Sequence, residues 1–262
     1  MKALRQLLLF KSNALNRSVH ADLILPAQID PAQAYSLLVL NDGQDMQALH
    51  IQHILEQLWS KGICKPFILI APHTQDRMVE YGVAGYVDFK QRGSLAKQYT
   101  QFIVEELIPQ LPERLQLNAF KEHVIGGFSL GALSAFDIAW NNPQVFSKVS
   151  ACSASFWWRS KDLDEGYTDA DRIMHKVVKE TKHKPALQIW IQSGTLDETA
   201  DRNNNGIIDS IDDALDLIKE LELKGFTQHT DLFYHEIIGG KHTLETYGLM
   251  LPDFLRWAFP NN

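Results

Sequence analysis

The sequence predicts an α/β fold in which a mostly parallel β-sheet is covered by helices on both faces. Two observations indicate it. Six short apolar runs with strand-like composition alternate with five stretches in which apolar residues recur three and four positions apart. This alternation is typical of parallel sheets, because a helix usually carries the chain from one strand to the next. The 262 residues, 45% of them hydrophobic, suffice for a single large domain, which we expect to span residues 1–262.

The elements follow from the pattern in chain order. Residues 4–25 alternate in hydropathy around a polar centre at 12–16, which predicts an antiparallel hairpin at the sheet edge. The other expected strands are 35–40, 67–71, 123–126, 145–152, 187–191 and 232–238. The expected helices are 47–59, 95–111, 131–140, 213–224 and 244–257. The polar segment 159–185 shows no strand pattern and is predicted to be a short lid-like excursion over the carboxyl edge of the sheet, where open α/β sheets bind ligands.

The composition excludes several classes of function. The net charge is −7 and no Lys/Arg cluster occurs, so we expect neither a nucleic-acid partner nor an anionic membrane. No apolar run is long enough to span a bilayer, and the first residues do not resemble a secretory signal. The two cysteines, Cys64 and Cys152, are too few for a disulfide framework or a zinc site. We therefore expect a cytoplasmic protein.

The first candidate for chemistry is Ser129, in the run Gly127-Phe128-Ser129-Leu130-Gly131. This G-x-S-x-G run follows an expected strand and opens an expected helix, which is the context of a nucleophile elbow. The sharp turn exposes the serine hydroxyl and leaves no room for side chains two positions before and after it. An ordinary glycine-rich turn is the alternative interpretation.

A nucleophilic serine needs a base and an acid, which follow it in chain order on this kind of fold. His229 and His235 lie before or within an expected strand, whereas His242 lies on a loop just after that strand. We expect His242 to be the base. Asp197 and Glu198 both follow the preceding strand, and either carboxylate could orient the imidazole; we prefer Asp197, with an exposed acidic turn as the alternative.

Acyl transfer also requires N–H donors for the developing oxyanion. The backbone amide of Leu130, the residue after the serine, is one candidate. The second is expected in the turn Asn41-Asp42-Gly43-Gln44 after the strand 35–40, where we choose the amide of Gln44. The alternative is that this segment is merely a turn.

A second pattern, in residues 201–212, indicates a metal site. Oxygen-bearing side chains stand at positions 1, 3, 5, 9 and 12 of an EF-hand-type loop, with glycine at position 6 and a backbone carbonyl at position 7. The expected ligands are Asp201, Asn203, Asn205, Ile207, Asp209 and Asp212. The ion would be Ca²⁺ or, because position 12 is the shorter Asp, Mg²⁺. The alternative is a solvated Asn/Gly-rich loop that caps the following helix.

This loop lies in a strongly acidic segment. Residues 195–222 carry a net charge equal to that of the whole chain. Such a segment repels itself unless it is solvated, disordered or neutralised by a cation. A bound ion would neutralise part of this charge and hold the segment that carries Asp197, so we expect a structural role for it.

Several stretches together resemble a known family. They are 38–44, 77–81, 102–109, 127–132, 153–158 and 239–242, and they occur in the order found in the "Putative esterase" family. That family includes enterochelin esterases, S-formylglutathione hydrolase, feruloyl esterases and mycolyl transferases. The resemblance implies an α/β-hydrolase fold, a triad of Ser129, Asp197 and His242, and oxyanion donors at Gln44 and Leu130. It implies nothing about the metal loop.

The aromatic cluster Phe156-Trp157-Trp158 follows the expected strand 145–152 at the same edge of the sheet. Rings there either belong to the core or form a substrate pocket. We expect one of Trp157 and Trp158 to face the site. The sequence thus predicts a serine carboxylic-ester hydrolase acting on a small-molecule ester without an organic cofactor, and leaves its oligomeric state open. An acyltransferase, or a non-catalytic Ca²⁺-binding protein of the same fold, is the alternative.

Overall fold

The computed structural model describes residues 1–261 and contains one eight-stranded sheet with the order β1-β2-β4-β3-β5-β6-β7-β8. The strands are β1 Ala3–Ser12, β2 Arg17–Pro26, β3 Leu37–Leu40, β4 Ile68–Pro72, β5 His123–Phe128, β6 Lys148–Cys152, β7 Gln188–Leu196 and β8 Leu232–Lys241. The helices are α1 Ile51–Ser60, α2 Arg77–Glu80, α3 Ala96–Gln101, α4 Ile108–Leu115, α5 Leu130–Asn141, α6 Ile173–Glu180, α7 Asp209–Leu223 and α8 Leu244–Ala258. A π-helical segment, Phe102–Leu107, joins α3 to α4.

The sheet is parallel from β4 to β8 and antiparallel at its N-terminal side. The strands β1 and β2 form the predicted hairpin, and β2 pairs antiparallel with β4. All six remaining strands point the same way, so their carboxyl ends lie along one edge. The predicted mixed α/β architecture with an N-terminal hairpin is confirmed.

Burial explains why the central strands are almost wholly apolar. Every residue of β3 and β4 is buried, as expected for strands covered on both faces. One buried cluster includes α5 and the other includes α1 and α8, so helices cover both faces of the sheet. Helix α5 is buried along nearly its whole length, which is why its sequence lacks a polar face.

Several element boundaries differ from the sequence prediction. Helix α1 begins at Ile51 rather than at 47, because His50 has a left-handed backbone with φ of 51° that interrupts the helix. Helix α7 begins four residues earlier than predicted, at Asp209. Strand β7 runs on to Leu196 and ends beside the predicted acid.

The segment 159–185 contains regular structure of its own. It holds two short 3₁₀ turns and the helix α6, which packs against α7. The Arg172 side chain at the start of α6 is buried and contacts Asp213 and Asp216 of α7 at 2.7 Å each. These ion pairs fix the start of α6 to α7.

No helix among residues 1–261 is both long and apolar enough to cross a bilayer.

Candidate active site

The Ser129 backbone has the strained conformation of a nucleophile elbow. Its φ of 56° and ψ of −123° lie outside the regions that L-residues prefer. A Cβ on Gly127 would lie 2.5 Å from the carbonyl carbon of Gly131, and a Cβ on Gly131 would lie 2.4 Å from Asp42 Oδ2. The two glycines are therefore required by the close approach of backbone and side chain around the turn. The turn directs the serine side chain to the carboxyl edge of the sheet, where it is partly exposed.

The structure brings His242 to this serine across 113 residues of chain. His242 Nε2 lies 2.9 Å from Ser129 Oγ, so the hydroxyl can donate a hydrogen bond to the ring. His242 stands between the end of β8 and Thr243, the N-cap of α8. The Thr243 hydroxyl accepts from Thr246 N, and Thr246 Oγ1 accepts from Lys241 N at 3.0 Å. These contacts fix the backbone on both sides of the imidazole.

Asp197 lies on the other side of the imidazole. Its Oδ1 is 4.0 Å from His242 Nδ1, and its side chain is only 1% exposed. Asp197 Oδ2 accepts from the backbone N–H of Gly194 at 2.9 Å, whereas Oδ1 is buried with no hydrogen-bond partner among the described residues. Hydrogen bonds of catalytic groups are often long in a free enzyme and shorten when substrate binds. Glu198 lines the cleft but forms no ion pair with His242 among the described residues.

The environment of His242 favours its neutral form. Partial burial lowers the pKa of the imidazole below its ordinary value of 6.5, Asp197 raises it, and the Arg77 guanidinium lowers it. Burial is the largest of the three effects. A neutral imidazole can accept a proton from the serine hydroxyl at neutral pH.

Two candidate oxyanion donors lie on elements next to Ser129. Leu130 opens α5, so its N–H belongs to the first turn, which has no intrahelical acceptor. Gln44 lies in a short 3₁₀ turn, Gly43–Asp45, directly after β3. A Cβ on Gly43 would be 2.1 Å from Ala71 O, so only glycine lets this turn pack on β4.

Buried hydrogen bonds join the Gln44 turn to the elbow. Asn41 Nδ2 donates to Gly131 O at 2.7 Å, and Asn41 Oδ1 accepts from the Tyr99 hydroxyl at 2.8 Å. Asp42 N donates to the Tyr81 hydroxyl at 3.0 Å, and Asp42 itself has a left-handed backbone with φ of 66°. The Asn41–Gly131 bond ties the turn to the elbow, and the two tyrosine hydroxyls hold the turn from its other side.

Arg77 is a residue of the site that the sequence analysis gave no role. Its guanidinium forms a two-point ion pair with buried Asp42, with Nε–Oδ1 at 2.8 Å and Nη2–Oδ2 at 3.2 Å, and Nη2 also lies 3.4 Å from Phe128 O. It stands on α2, which is only four residues long. The only sequence signal was its place in the stretch 77–81 that resembles the family.

We expect Arg77→Gln to lower the free energy of unfolding by about 2 kcal/mol. The substitution leaves the buried Asp42 carboxylate without its cation, and the cost is smaller than for a fully buried pair because Arg77 is 35% exposed. Arg256→Gln is the matched control, because its pair with Asp253 is more than half exposed on both sides and contributes less than about 0.5 kcal/mol. Chemical denaturation measures both; equal midpoints for Arg77→Gln and wild type would contradict the expectation.

The two tryptophans have different environments. Trp157 is half-buried and lines a cleft of about 190 Å³ together with His242, Asp197 and Glu198. Trp158 is 0% exposed, and its ring packs against Gly82 and Gly93. Of the two tryptophans considered as substrate-binding residues, Trp158 is therefore excluded, because it is a core residue. Trp157 remains the candidate of the pair.

In the predicted metal loop, the structure brings four of the side chains together. Asp212 Oδ2 accepts from Asn203 Nδ2 at 2.7 Å and from Asn205 Nδ2 at 2.8 Å. The Asp201 carboxylate accepts from the backbone N–H groups of Asn205 at 3.1 Å and Gly206 at 2.9 Å. Hydrogen bonds thus link positions 3, 5 and 12 of the loop, and position 1 holds the backbone of positions 5 and 6; the two asparagines present N–H groups to Asp212, so their amide oxygens face elsewhere.

Position 9 behaves differently from the prediction. Asp209 Oδ1 accepts from Arg202 N at 2.8 Å and also faces the Arg202 guanidinium at 3.4 Å, so a cation already neutralises it. Arg202 and Arg172 together contact Asp213. Within residues 1–261 no three His, Cys, Asp or Glu side chains are grouped to hold a metal by themselves. An ion here would depend on the amide oxygens of Asn203 and Asn205 and on backbone carbonyls such as that of Ile207.

Solved structures of esterases share this fold. A ferulic acid esterase superposes over 100% of this chain and 99% of its own, with a TM-score of 0.72 and 15% identity. An enterochelin esterase from Shigella flexneri gives a TM-score of 0.73 at 18% identity over 97% of this chain, which spans only 58% of that protein. An IroE-like serine hydrolase from Shewanella oneidensis gives 0.71 at 19% identity, covering 98% of this chain and 80% of that one. The fold is that of the α/β hydrolases.

The sequence comparison gives the family. The sequence model described as "Putative esterase" matches residues 12–258, so the chain belongs to that family and is an enzyme that hydrolyses carboxylic esters. The Bacillus subtilis (strain 168) protein "Uncharacterized protein YjcH" is 26% identical over 229 residues, which is 82% of each chain.

Proposed function

We propose that this protein is a serine esterase that acts on a small-molecule ester through a triad of Ser129, His242 and Asp197. The observation that carries the proposal is the 2.9 Å separation between Ser129 Oγ and His242 Nε2 at a strained strand-to-helix turn. The buried Asp197 carboxylate on the far side of the imidazole supports it as the acid in preference to Glu198.

In this mechanism His242 takes the proton of Ser129 Oγ as the oxygen attacks the ester carbonyl. Asp197 holds the ring with Nδ1–H toward it and stabilises the imidazolium. The amides of Leu130 and Gln44 donate to the oxyanion. His242 then protonates the leaving alcohol, which departs and leaves the acyl group on Ser129. Water, activated by His242, releases the acid and restores the serine.

Pre-steady-state hydrolysis of p-nitrophenyl esters tests this mechanism. An acyl-enzyme predicts a burst of p-nitrophenolate of about one equivalent per protein when deacylation is the slower step. Added acceptor alcohols separate hydrolysis from acyl transfer, because a transferase forms the new ester as its main product. Steady-state turnover that is unchanged in Ser129→Ala would overturn the proposal.

The pH dependence of kcat/KM has a definite direction. Since burial lowers the pKa of His242, the rate should fall only when the pH drops below about 6.5, as the ring becomes protonated and cannot act as base. Asp197→Asn removes the effect that raises the pKa and should move this acid limb to lower pH. Arg77→Gln removes an effect that lowers it and should move the limb to higher pH. Shifts in the same direction for both variants would contradict the assignment of the limb to His242.

We further propose that the loop 201–212 binds Ca²⁺ as a structural ion. The spacing of oxygen-bearing residues in the sequence supports it, together with the hydrogen bonds that bring Asn203 and Asn205 to Asp212. Ca²⁺ at about 100 times its dissociation constant would stabilise the protein by ~2.7 kcal/mol, so chelation should lower the melting temperature by roughly 5 °C or more. Asn205→Ala should melt at the temperature of chelator-treated wild type, both with Ca²⁺ and with chelator. Identical melting of wild type with and without chelator would remove the proposal.

A further inference from the structure

A second cavity adjoins the catalytic cleft and is used by no step of the reaction above. Its volume is about 360 Å³, and it shares Trp157 and Glu198 as lining residues with the cleft that contains His242. The two spaces are therefore neighbours, separated by no more than these side chains, and a ligand long enough to pass Trp157 would reach from the cleft into the cavity. The residues that line the cavity would therefore contribute to the specificity for the ester.

The cavity contains an arginine whose hydrogen-bonding capacity is largely unused. The Arg159 guanidinium carbon lies 4.8 Å from the ring centroid of Phe89 and 5.8 Å from that of Tyr167. Its side chain reaches Asp162 Oδ1 only at 3.5 Å, the limit of a hydrogen bond, and Nε is buried without a partner among the described residues. The two Nη groups, which form only this one long contact, have N–H donors left for an acceptor that a ligand brings.

The charges around Arg159 also favour an anion. Lys90, Arg92 and Arg202 line the same cavity, against two acids, Glu198 and Asp209. Arg202 is held by Asp209 at 3.4 Å, and Arg92 is paired with a carboxylate of its own loop. Lys90, whose Nζ lies 5.3 Å from the Phe89 ring centroid, is exposed. Arg202 also contacts Asp213, whereas Arg159 has one ion pair, with Asp162 at 3.5 Å, and Lys90 has none among the described residues. Arg159 and Lys90 are thus the least neutralised cations of the cavity.

The geometry points to a carboxylate-binding subsite: we propose that the ester hydrolysed here carries a free carboxylate that Arg159 binds, with the connecting atoms lying against Trp157. This proposal rests on the proposed function at Ser129. A carboxylate pairs well with a guanidinium that has most of its N–H groups without acceptors. Arg159 would be a specificity residue that takes no part in the covalent steps.

Mono-p-nitrophenyl esters of dicarboxylic acids of increasing chain length test the proposal. Each is compared with the ester whose terminal carboxylate is replaced by a carboxamide, which has the same shape without the charge. At one or more lengths we expect wild type to favour the carboxylate by about tenfold in kcat/KM, and the preference to shrink as salt is raised. Arg159→Gln should lose the preference, so that it hydrolyses the carboxylate and carboxamide esters with equal kcat/KM. Arg159→Lys should keep part of it.

Lys161→Gln is the matched control, since this exposed cation two residues away pairs with Asp171 and does not line the cavity. It should keep the full preference. Equal rates for the two series in wild type at every length, or a preference that survives in Arg159→Gln, would overturn the proposal. If the enzyme hydrolyses the carboxamide esters through Ser129 but not the carboxylate esters, the esterase function is supported and the carboxylate subsite is refuted. If no ester is hydrolysed, calorimetry with free monoamide acids of the same lengths decides, and equal affinities for wild type and Arg159→Gln would refute the subsite.

Discussion

Ser129→Ala should lower kcat for p-nitrophenyl esters by about 10⁴-fold or more. The variant keeps the Cβ and loses only the oxygen that attacks the carbonyl. That oxygen contacts His242 Nε2 on a partly exposed surface, so its removal should change the free energy of unfolding by less than about 1 kcal/mol. Steady-state kinetics and thermal melting on the same preparation measure both quantities.

The control for this variant is Ser18→Ala, an exposed serine on β2. It should have the activity and the melting temperature of the wild type. A Ser129→Ala protein that is folded and retains more than about one per cent of the wild-type kcat would exclude Ser129 as the nucleophile. If Ser129→Ala melts far below wild type, the Ser129 hydroxyl stabilises the fold, which contradicts the small change in stability that we expect.

Gly127→Ala should damage both stability and activity. The added Cβ would lie 2.5 Å from the carbonyl carbon and oxygen of Gly131 and 2.9 Å from the backbone nitrogen of Ala132. All three are backbone atoms, so the elbow itself has to move. Overpacking of this kind costs about 3 kcal/mol, which corresponds to a fall in melting temperature of roughly 6–12 °C. A displaced serine should also lose about 100-fold in kcat.

Gly248→Ala is the matched control for the glycine substitution. Gly248 lies inside α8, and a Cβ there would meet nothing within 4 Å. Because alanine favours a helix more than glycine does, the free energy of unfolding of this variant should exceed that of wild type by up to about 1 kcal/mol. Its melting temperature should therefore be equal to or higher than that of wild type. If Gly127→Ala and Gly248→Ala behave alike, close packing at the elbow is not what requires glycine at 127.

Local patterns were sufficient to predict the fold class and the place of Ser129. The alternation of apolar runs and helical spacing depends on neighbouring residues, and the glycines at 127 and 131 mark a turn that is itself local. His242 could be predicted as the base because it follows the serine in the chain and lies just after a strand. Residues at the carboxyl ends of parallel strands share one edge of the sheet. The start of α1 was misplaced because nothing in the sequence signals the left-handed backbone of His50.

The features that could not be predicted from the sequence depend on packing between segments that are distant in the chain. Trp158 is removed from the cleft by its contact with Gly82 and Gly93, some 65 to 76 residues earlier in the chain. Arg77 reaches the site from a helix of one turn, and its partner Asp42 is 35 residues away. The charge of Asp213 is met by Arg172 and Arg202, which explains how part of the acidic segment is neutralised without a metal ion. Neither periodicity nor spacing contains such pairings.

Labelling with an organophosphonate probe, followed by peptide mapping, tests most directly whether an imidazole activates the hydroxyl at position 129. We predict one phosphonate per chain, located on Ser129, with labelling slowed by about 100-fold or more in His242→Ala. A wild-type protein that stays unlabelled, or a label carried by any other residue, would contradict the account.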